Sequence, residues 1–240
     1  MESPRTASPR TLVVVPAFNE AASVGRVVAE ARALPQAPDV VVIDDGSSDG
    51  TGDGVPARVV RLPFNCGIGA AVQTGIRLAL DDGYDFVARL DGDGQHDARV
   101  LPALLALLHA GQADFVVGSR YVEREGFQSS GPRRLGSRWF RLLLRLACGQ
   151  QVSDPTSGLW AANRRAAALL GAEYASDYPE VDALVLLARS GCRIVEVPTV
   201  MRERTAGTSS INAPRALYYM LKVTVALGVG RLRPRALGRS

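Results

Sequence analysis

The chain has 240 residues, 47% of them apolar and 22% charged, with a formal net charge of +4. That balance belongs to a folded chain long enough for one large α/β domain or two small ones, and it excludes an intrinsically disordered polypeptide. The basic surplus is almost wholly arginine, since Lys222 is the only lysine, so position rather than number must carry any reading of these arginines.

Cys66, Cys148 and Cys192 are odd in number, far apart and match no metal-ligand spacing, so reduced thiols in a cytosolic compartment are expected. Met1 to Arg10 is polar and rich in Ser, Pro and Arg, and reads as a disordered tail (1–10) without a secretory signal. No segment reaches the ~20 apolar residues of a membrane-spanning helix. The longest apolar stretch, Leu217 to Val229, is short and contains Lys222.

Strands and helices alternate through the first half. The pattern predicts a strand over Thr11–Pro16, then an amphipathic helix over Asn19–Leu34 closed by Pro35. A second strand follows at Asp39–Ile43 and a short third at Arg58–Arg61. A helix is expected over Gly67–Asp82, where Ala70, Ala71, Thr74 and Leu78 recur at helical spacing. Then come a strand at Phe86–Leu90, a leucine-rich helix at Ala98–Ala110 ended by Gly111, and a strand at Ala113–Val117. This βαβ order implies a twisted, parallel sheet with helices on both faces. The second half is less regular. It reads as a polar loop from Gly118 to Gly136, an amphipathic helix over Leu135–Ala147 and a turn at Asp154–Gly158. A helix at Glu180–Ser190, a strand at Arg193–Val197, a basic loop from Arg202 to Ser210 and a last helix over Ala213–Gly228 complete the chain. No element is assigned between Gly158 and Glu180. One main domain (11–212) with a C-terminal apolar helix and basic tail (213–240) is the expected organisation.

Two acidic, glycine-rich turns stand out. Asp44-Asp45-Gly46-Ser47-Ser48-Asp49-Gly50-Thr51 and Asp91-Gly92-Asp93-Gly94-Gln95-His96-Asp97 each follow a short apolar strand. Carboxylates at the carboxyl ends of parallel strands line the crevice where open α/β sheets bind ligands. Asp91 and Asp93 offer two hard oxygen ligands one residue apart, suited to Mg²⁺ or Mn²⁺, with Gln95 and His96 as weaker or water-mediated ligands. A solvated Asp-Gly turn reads from the same residues. An EF-hand does not, because the sixth and twelfth loop positions are His96 and Pro102 instead of Gly and Glu. Asp44 and Asp45 can accept hydrogen bonds from a base or a ribose, or can simply close a turn. In Asn65-Cys66-Gly67-Ile68-Gly69 the glycines permit close backbone approach to a ligand, but Val72 stands where a dinucleotide fingerprint needs its third glycine.

Taken in order, Val14-Val15-Pro16-Ala17-Phe18-Asn19-Glu20, the Asp44–Thr51 turn, Asn65-x-Gly67-x-Gly69 and the Asp91–Asp97 turn resemble the family 2 glycosyltransferases. Gly118-Ser119-Arg120-Tyr121 and Asp154-Pro155-Thr156-Ser157-Gly158 look like its dolichol-phosphate or polyprenyl-phosphate mannosyltransferase branch. The resemblance runs from Thr11 to Ser210. It implies a GT-A fold: an α/β, Rossmann-like twisted, mostly parallel sheet, here with C-terminal amphipathic helices. It implies a nucleotide-sugar pocket lined by Pro16, Ala17, Asn19, Glu20 and Gly69, with Asp44 and Asp45 at the base and ribose. It implies a metal site at Asp91 and Asp93 completed by Gln95, and phosphate-facing arginines at Arg120, Arg202 and Arg204. The lysine usual near the basic loop is replaced by Thr208 or Ser209.

The implied reaction is inverting transfer of a hexose from a GDP- or UDP-sugar to polyprenyl phosphate, assisted by Mg²⁺ or Mn²⁺ at the cytoplasmic membrane face. Asp93, Asp154 and Arg120 are its candidate catalytic residues. A phosphomonoester, with a second pKa of about 6, is already a nucleophile near neutral pH. A hydroxyl acceptor would need a carboxylate base, and Asp154 is the candidate for that role or for orienting the acceptor. Two other readings stay open: a relative acting on a glycan or small-molecule hydroxyl, and a non-catalytic nucleotide-sugar-binding subunit of a membrane partner. Arg134, Arg138, Arg141 and Arg145 share one helical face, with Trp139, Phe140, Leu142, Leu143 and Leu146 elsewhere around the helix. That pattern fits a helix lying on an anionic membrane or one packed on the domain. The apolar segment before Arg231, Arg233, Arg235 and Arg239 reads as a monotopic anchor, as core cover, or as a surface for another subunit. Nucleic acid is not an expected partner, because the basic residues are not interleaved with aromatics and the central site is acidic.

Overall fold

In a computed structural model the described residues are 9–121, 139, 141–142, 144–145, 149, 151–175 and 179–202. The expected tail (1–8), most of the loop and helix between 122 and 150, and everything from 203 onward, including the 213–240 segment, lie outside them.

Seven strands form one sheet: β1 (Thr11–Ala17), β2 (Asp39–Asp44), β3 (Arg58–Arg61), β4 (Phe86–Arg89), β5 (Phe115–Ser119), β6 (Trp160–Asn163) and β7 (Ile194–Pro198). Their spatial order is β3-β2-β1-β4-β6-β5-β7. All neighbours run parallel except β6, which is antiparallel to both β4 and β5. The helices are α1 (Val24–Arg32), α2 (Ile68–Asp81), α3 (Leu101–His109), α4 (Arg164–Ala172) and α5 (Pro179–Arg189). A 3₁₀ turn, Ala98–Val100, leads into α3.

Strand β1 is buried at every residue because it is covered on both faces, which is why Thr11–Ala17 reads as an unbroken apolar run. The two-residue period sorts its side chains. Leu12 and Val14 join Val41, Ile43 and Val87 under α2, α4 and α5. Val13, Val15 and Ala17 join Val40, Val42 and Ala88 under α1 and α3. Helix α2 lies close to β1 because Gly75 faces it: a Cβ there would sit 2.3 Å from Val14 Cγ1.

Two local expectations change. Helix α1 starts at Val24 rather than Asn19. Asn19 adopts a left-handed φ of 54°, and the amides of Asn19, Glu20 and Ala21 donate to the side chains of Ser47, Thr51 and Asp49. Those amides serve the neighbouring loop, so the helix begins after them. The unassigned stretch after Gly158 forms β6 and α4. Asn163 is the hinge between them: its Oδ1 accepts from Ala166 N at 2.9 Å, capping α4, and its Nδ2 donates to Asp114 Oδ1 at 2.8 Å. Trp-Ala-Ala-Asn-Arg-Arg-Ala-Ala-Ala offers no Gly or Pro to mark that boundary.

The chain runs outward from β1 to β2 and β3, then crosses back to β4 on the other side of β1. The carboxyl ends of β1, β2 and β4 therefore open onto a topological switch point, where such sheets hold ligands.

Candidate active site

The acidic turns are built first by backbone economy. Asp44 is fully buried; its Oδ1 accepts from Ser47 N at 2.9 Å and its Oδ2 from Arg61 Nε at 2.9 Å. Burial pushes this carboxyl up, but the bonds from Ser47 and Arg61 together hold it below its usual range. Asp45 accepts from Cys66 N at 2.7 Å through Oδ1 and from Gly67 N at 2.9 Å through Oδ2. It thereby ties the β2 turn to the loop that starts α2. Gly46 makes this approach possible: its φ is +73°, and a Cβ would meet the Phe64 carbonyl carbon at 2.6 Å. Asp44 and Asp45, expected at the base and ribose, are thus bonded to Ser47, Arg61, Cys66 and Gly67.

The second turn presses against the end of β1. Gly92 N donates to Pro16 O at 3.2 Å, Ser23 Oγ donates to Gly92 O at 2.7 Å, and Asp45 N donates to Ala17 O at 2.9 Å. Pro16 and Ala17 thereby join both acidic turns through their carbonyls. Asn19 and Glu20 sit at the mouth, and Gly69 is buried in the first turn of α2. Asp93 is buried and accepts from Gln95 N at 3.0 Å. Gln95 Nε2 donates to Arg202 O at 3.4 Å, and Arg202 N returns a bond to Gln95 O at 2.9 Å.

Asp91 has the most elaborate support. Arg89 Nε and Nη2 both reach its Oδ1, at 2.9 and 2.8 Å. Its Oδ2 lies 3.9 Å from His96 Nδ1. Burial holds His96 below its ordinary value, against the pull of Asp91 and Asp93, so the imidazole is neutral at physiological pH. Its Nδ1 is buried with no hydrogen-bond partner. The two carboxylates of this turn are hard oxygen donors of the kind Mg²⁺ and Mn²⁺ take, and the orphaned His96 Nδ1 lies beside one of them. Among the described residues no group of three His, Cys, Asp or Glu side chains is placed to hold a metal ion. Mg²⁺ does not require one, since it keeps waters and phosphate oxygens.

On the other side of the cleft, Arg120 and Asp154 form a two-pronged pair, Nε to Oδ2 and Nη2 to Oδ1, each 2.6 Å. Arg120 N also donates to Asp154 Oδ2 at 3.1 Å, and Nη2 donates to Thr156 Oγ1 at 3.0 Å. Asp154 is fully buried. It is therefore the anchor of Arg120, and its placement does not suit a general base. The peptide carrying it is held by Glu196 on β7, which accepts from Ser153 N at 2.7 Å and from Asp154 N at 2.9 Å. The Asp154–Gly158 turn touches the acidic side of the site at Gly158, where a Cβ would come within 2.3 Å of Asp91 Oδ2.

Arg202, expected to face a phosphate, is engaged by carboxylates. Its Nη1 binds Glu30 at 2.8 and 2.9 Å and its Nη2 lies 3.2 Å from Asp97. Glu30 on α1 and Asp97 ahead of the 3₁₀ turn thus share its guanidinium. Arg204 lies outside the described residues. Arg89 and Glu196 are not singled out by the sequence, and Gly158 enters there only as the last residue of the Asp154–Gly158 motif. Arg89 did carry a signal, being a charged residue on the inward register of an apolar strand.

The Glycosyl transferase family 2 model matches residues 12–170. Undecaprenyl-phosphate mannosyltransferase of Micrococcus luteus is 34% identical over 85% of this chain and 88% of its own. Polyprenol monophosphomannose synthase of Mycolicibacterium smegmatis is 32% identical over 92% of this chain and 89% of its own. The crystal structure of glucosyl-3-phosphoglycerate synthase from Mycobacterium tuberculosis with Mn²⁺, UDP and phosphoglyceric acid covers 97% of this chain and 81% of that one. The TM-score is 0.69 and the identity 24%, a likeness of fold, and the fold is GT-A. With ordered motifs, family model and relatives in agreement, the chain belongs to the family 2 glycosyltransferases, in the polyprenyl-phosphate mannosyltransferase-like branch, and is a nucleotide-sugar-dependent glycosyltransferase.

Proposed function

We propose that the chain transfers a hexose from a GDP- or UDP-sugar to polyprenyl phosphate, with inversion, at the cytoplasmic face of a membrane. The observation that carries this reading is the Arg120–Asp154 pair. A hydroxyl acceptor needs a carboxylate base, and the candidate carboxylate is buried and committed to a guanidinium. A phosphate acceptor needs no base, but it does need oriented cationic donors. Arg120, held on Asp154 through Nε and Nη2, would supply them through Nη1, which faces the Met201 sulfur at 3.8 Å. The two polyprenyl-phosphate mannose transferases named above support the same acceptor class.

Asp91 and Asp93, with Gln95 and the His96 imidazole alongside, would hold Mg²⁺ or Mn²⁺. When bound, the ion would neutralise charge on the leaving diphosphate. The laced β1 and β2 turns and the α2 loop would position the nucleoside. Arg120 would orient the phosphate acceptor oxygen for in-line attack on the anomeric carbon, and buried Asp154 would keep it from swinging away. Exposed Trp139 and Leu142, beside Arg141 on one helical stretch, support contact with lipid. Among the described residues no helix is long and apolar enough to cross a membrane.

The test is sugar transfer into butanol-extractable lipid. Purified protein receives polyprenyl phosphate, Mg²⁺ or Mn²⁺, and a panel of labelled GDP- and UDP-sugars, with Asp93→Ala as control. Lipid-phase label from one donor, lost in the control, is the expected result. Label only in hydroxyl acceptors would overturn the lipid-phosphate reading, and nucleotide binding without turnover on any acceptor would favour a recruiting subunit.

A further inference from the structure

Arg89 is the charged residue least explained by the fold. It sits at the end of β4 on the face that carries Val87, paired across the sheet with Trp160, and it is 2% exposed. Burying a guanidinium there is costly, and a well-packed apolar side chain is commonly as stable as a buried ion pair or more so. Three of its nitrogens are nevertheless satisfied by two carboxylates: Nε and Nη2 on Asp91 Oδ1, and Nη1 on Glu180 Oε1 at 3.0 Å. Glu180 stands in the first turn of α5, 91 residues away in sequence.

We infer that Arg89, anchored by Glu180, is a positioning residue that presents Asp91 to the divalent cation through a single oxygen. This inference rests on the metal-dependent reading above. The fork from Arg89 fixes Oδ1 and with it the rotation of the carboxylate plane. Oδ2 is thereby turned toward the His96 Nδ1 side, 3.9 Å away. Gly158 completes the arrangement, because any side chain there would strike Oδ2 at 2.3 Å and Arg89 Nη2 at 3.1 Å. Mg²⁺ and Mn²⁺ sites depend on such outer contacts, whose loss typically costs about 10- to 100-fold in metal affinity. The guanidinium is shared between Asp91 and Glu180, so its fork fixes the geometry of both carboxyl groups.

The experiment titrates Mn²⁺ by electron paramagnetic resonance against the full chain with UDP and, separately, with GDP. Thermal unfolding is followed alongside. The decisive variant is Arg89→Met with Glu180→Leu, which removes the guanidinium together with the buried carboxyl that anchors it. Expected is Mn²⁺ binding weakened at least about 10-fold with the unfolding midpoint at or above that of the parent. Arg89→Lys, with one donor group in place of a fork, should fall between the two in affinity. Parent-like Mn²⁺ affinity in the double variant would overturn the positioning role while leaving the metal site standing. Absence of Mn²⁺ binding by the parent with either nucleotide, unchanged in Asp93→Ala, would overturn the metal reading and the inference with it. Unfolding of both variants would assign Arg89 to structure instead.

Discussion

Gly158→Ala is the sharpest perturbation the site offers. The added methyl would lie 2.3 Å from Asp91 Oδ2 and 3.0 Å from its Cγ, where ordinary contact begins at 3.4 Å. Something must retreat by about 1 Å. Neither side yields easily. Asp91 is gripped by Arg89, itself buried and bound to Glu180. The Gly158 backbone is followed by Leu159, whose carbonyl accepts from Gly118 N at 2.9 Å. Overpacking of this kind costs about 1–3 kcal/mol. At ~2–4 °C per kcal/mol for a chain of this size, the unfolding midpoint should drop by several degrees. A displacement of ~1 Å at a reacting centre costs about 100-fold in rate. The assay is lipid-phase sugar transfer at saturating donor, with thermal unfolding in parallel. Gly25→Ala is the control: it lies in α1 with nothing within 4 Å of its Cβ, and should gain up to about 1 kcal/mol with transfer unchanged. Parent-level turnover in Gly158→Ala would refute the contact between this turn and Asp91.

Three further outcomes follow from individual contacts. Glu196→Gln removes one of the two acceptors that hold Ser153 N and Asp154 N; a loss of about 1–3 kcal/mol in chemical denaturation is expected, with a raised KM for the lipid acceptor through a loosened Arg120. Arg202→Ala should cost under about 1 kcal/mol, because its pairs are partly exposed, and should leave the donor KM within about threefold; a rise of 10-fold or more would return Arg202 to the diphosphate. In Arg61→Met the Asp44 carboxyl loses part of what holds it low. A depressed carboxyl stabilises the fold above its unfolded value of about 3.9, and that stability is lost as pH falls through the folded value. The acid unfolding midpoint of Arg61→Met should therefore move to higher pH, read by circular dichroism.

The local grammar of the chain was largely legible. Apolar runs located β1, β2 and β4 to within a residue or two, with Asp-Gly turns marking the exits of β2 and β4, because a strand covered on both faces must be apolar throughout and its exit must bend. Helical periodicity located α2, α3 and α5 for the same kind of reason. The ordered acidic turns also pointed to a nucleotide and metal crevice, since parallel strands bring their carboxyl ends to one edge. The helix expected from Asn19 starts only at Val24, because the amides of Asn19, Glu20 and Ala21 bond to Ser47, Thr51 and Asp49, partners on another turn.

What no window of sequence could decide was which charged groups meet. Strand β6 inserts antiparallel between β4 and β5, and this carries the Asp154–Gly158 turn onto Asp91. Arg89 finds Glu180 and Asp154 N finds Glu196 across separations of 91 and 42 residues. Asp154 read as a base or an orienting group, Arg202 as a phosphate ligand, and Arg89 as part of a strand. Fold class could be read locally, because apolar period and turn composition act between near neighbours. The tertiary structure alone decided which carboxylate anchors Arg120, which arginine grips Asp91 and which is drawn away. A buried charge takes its role from the partner that compensates it, and strand order supplies that partner.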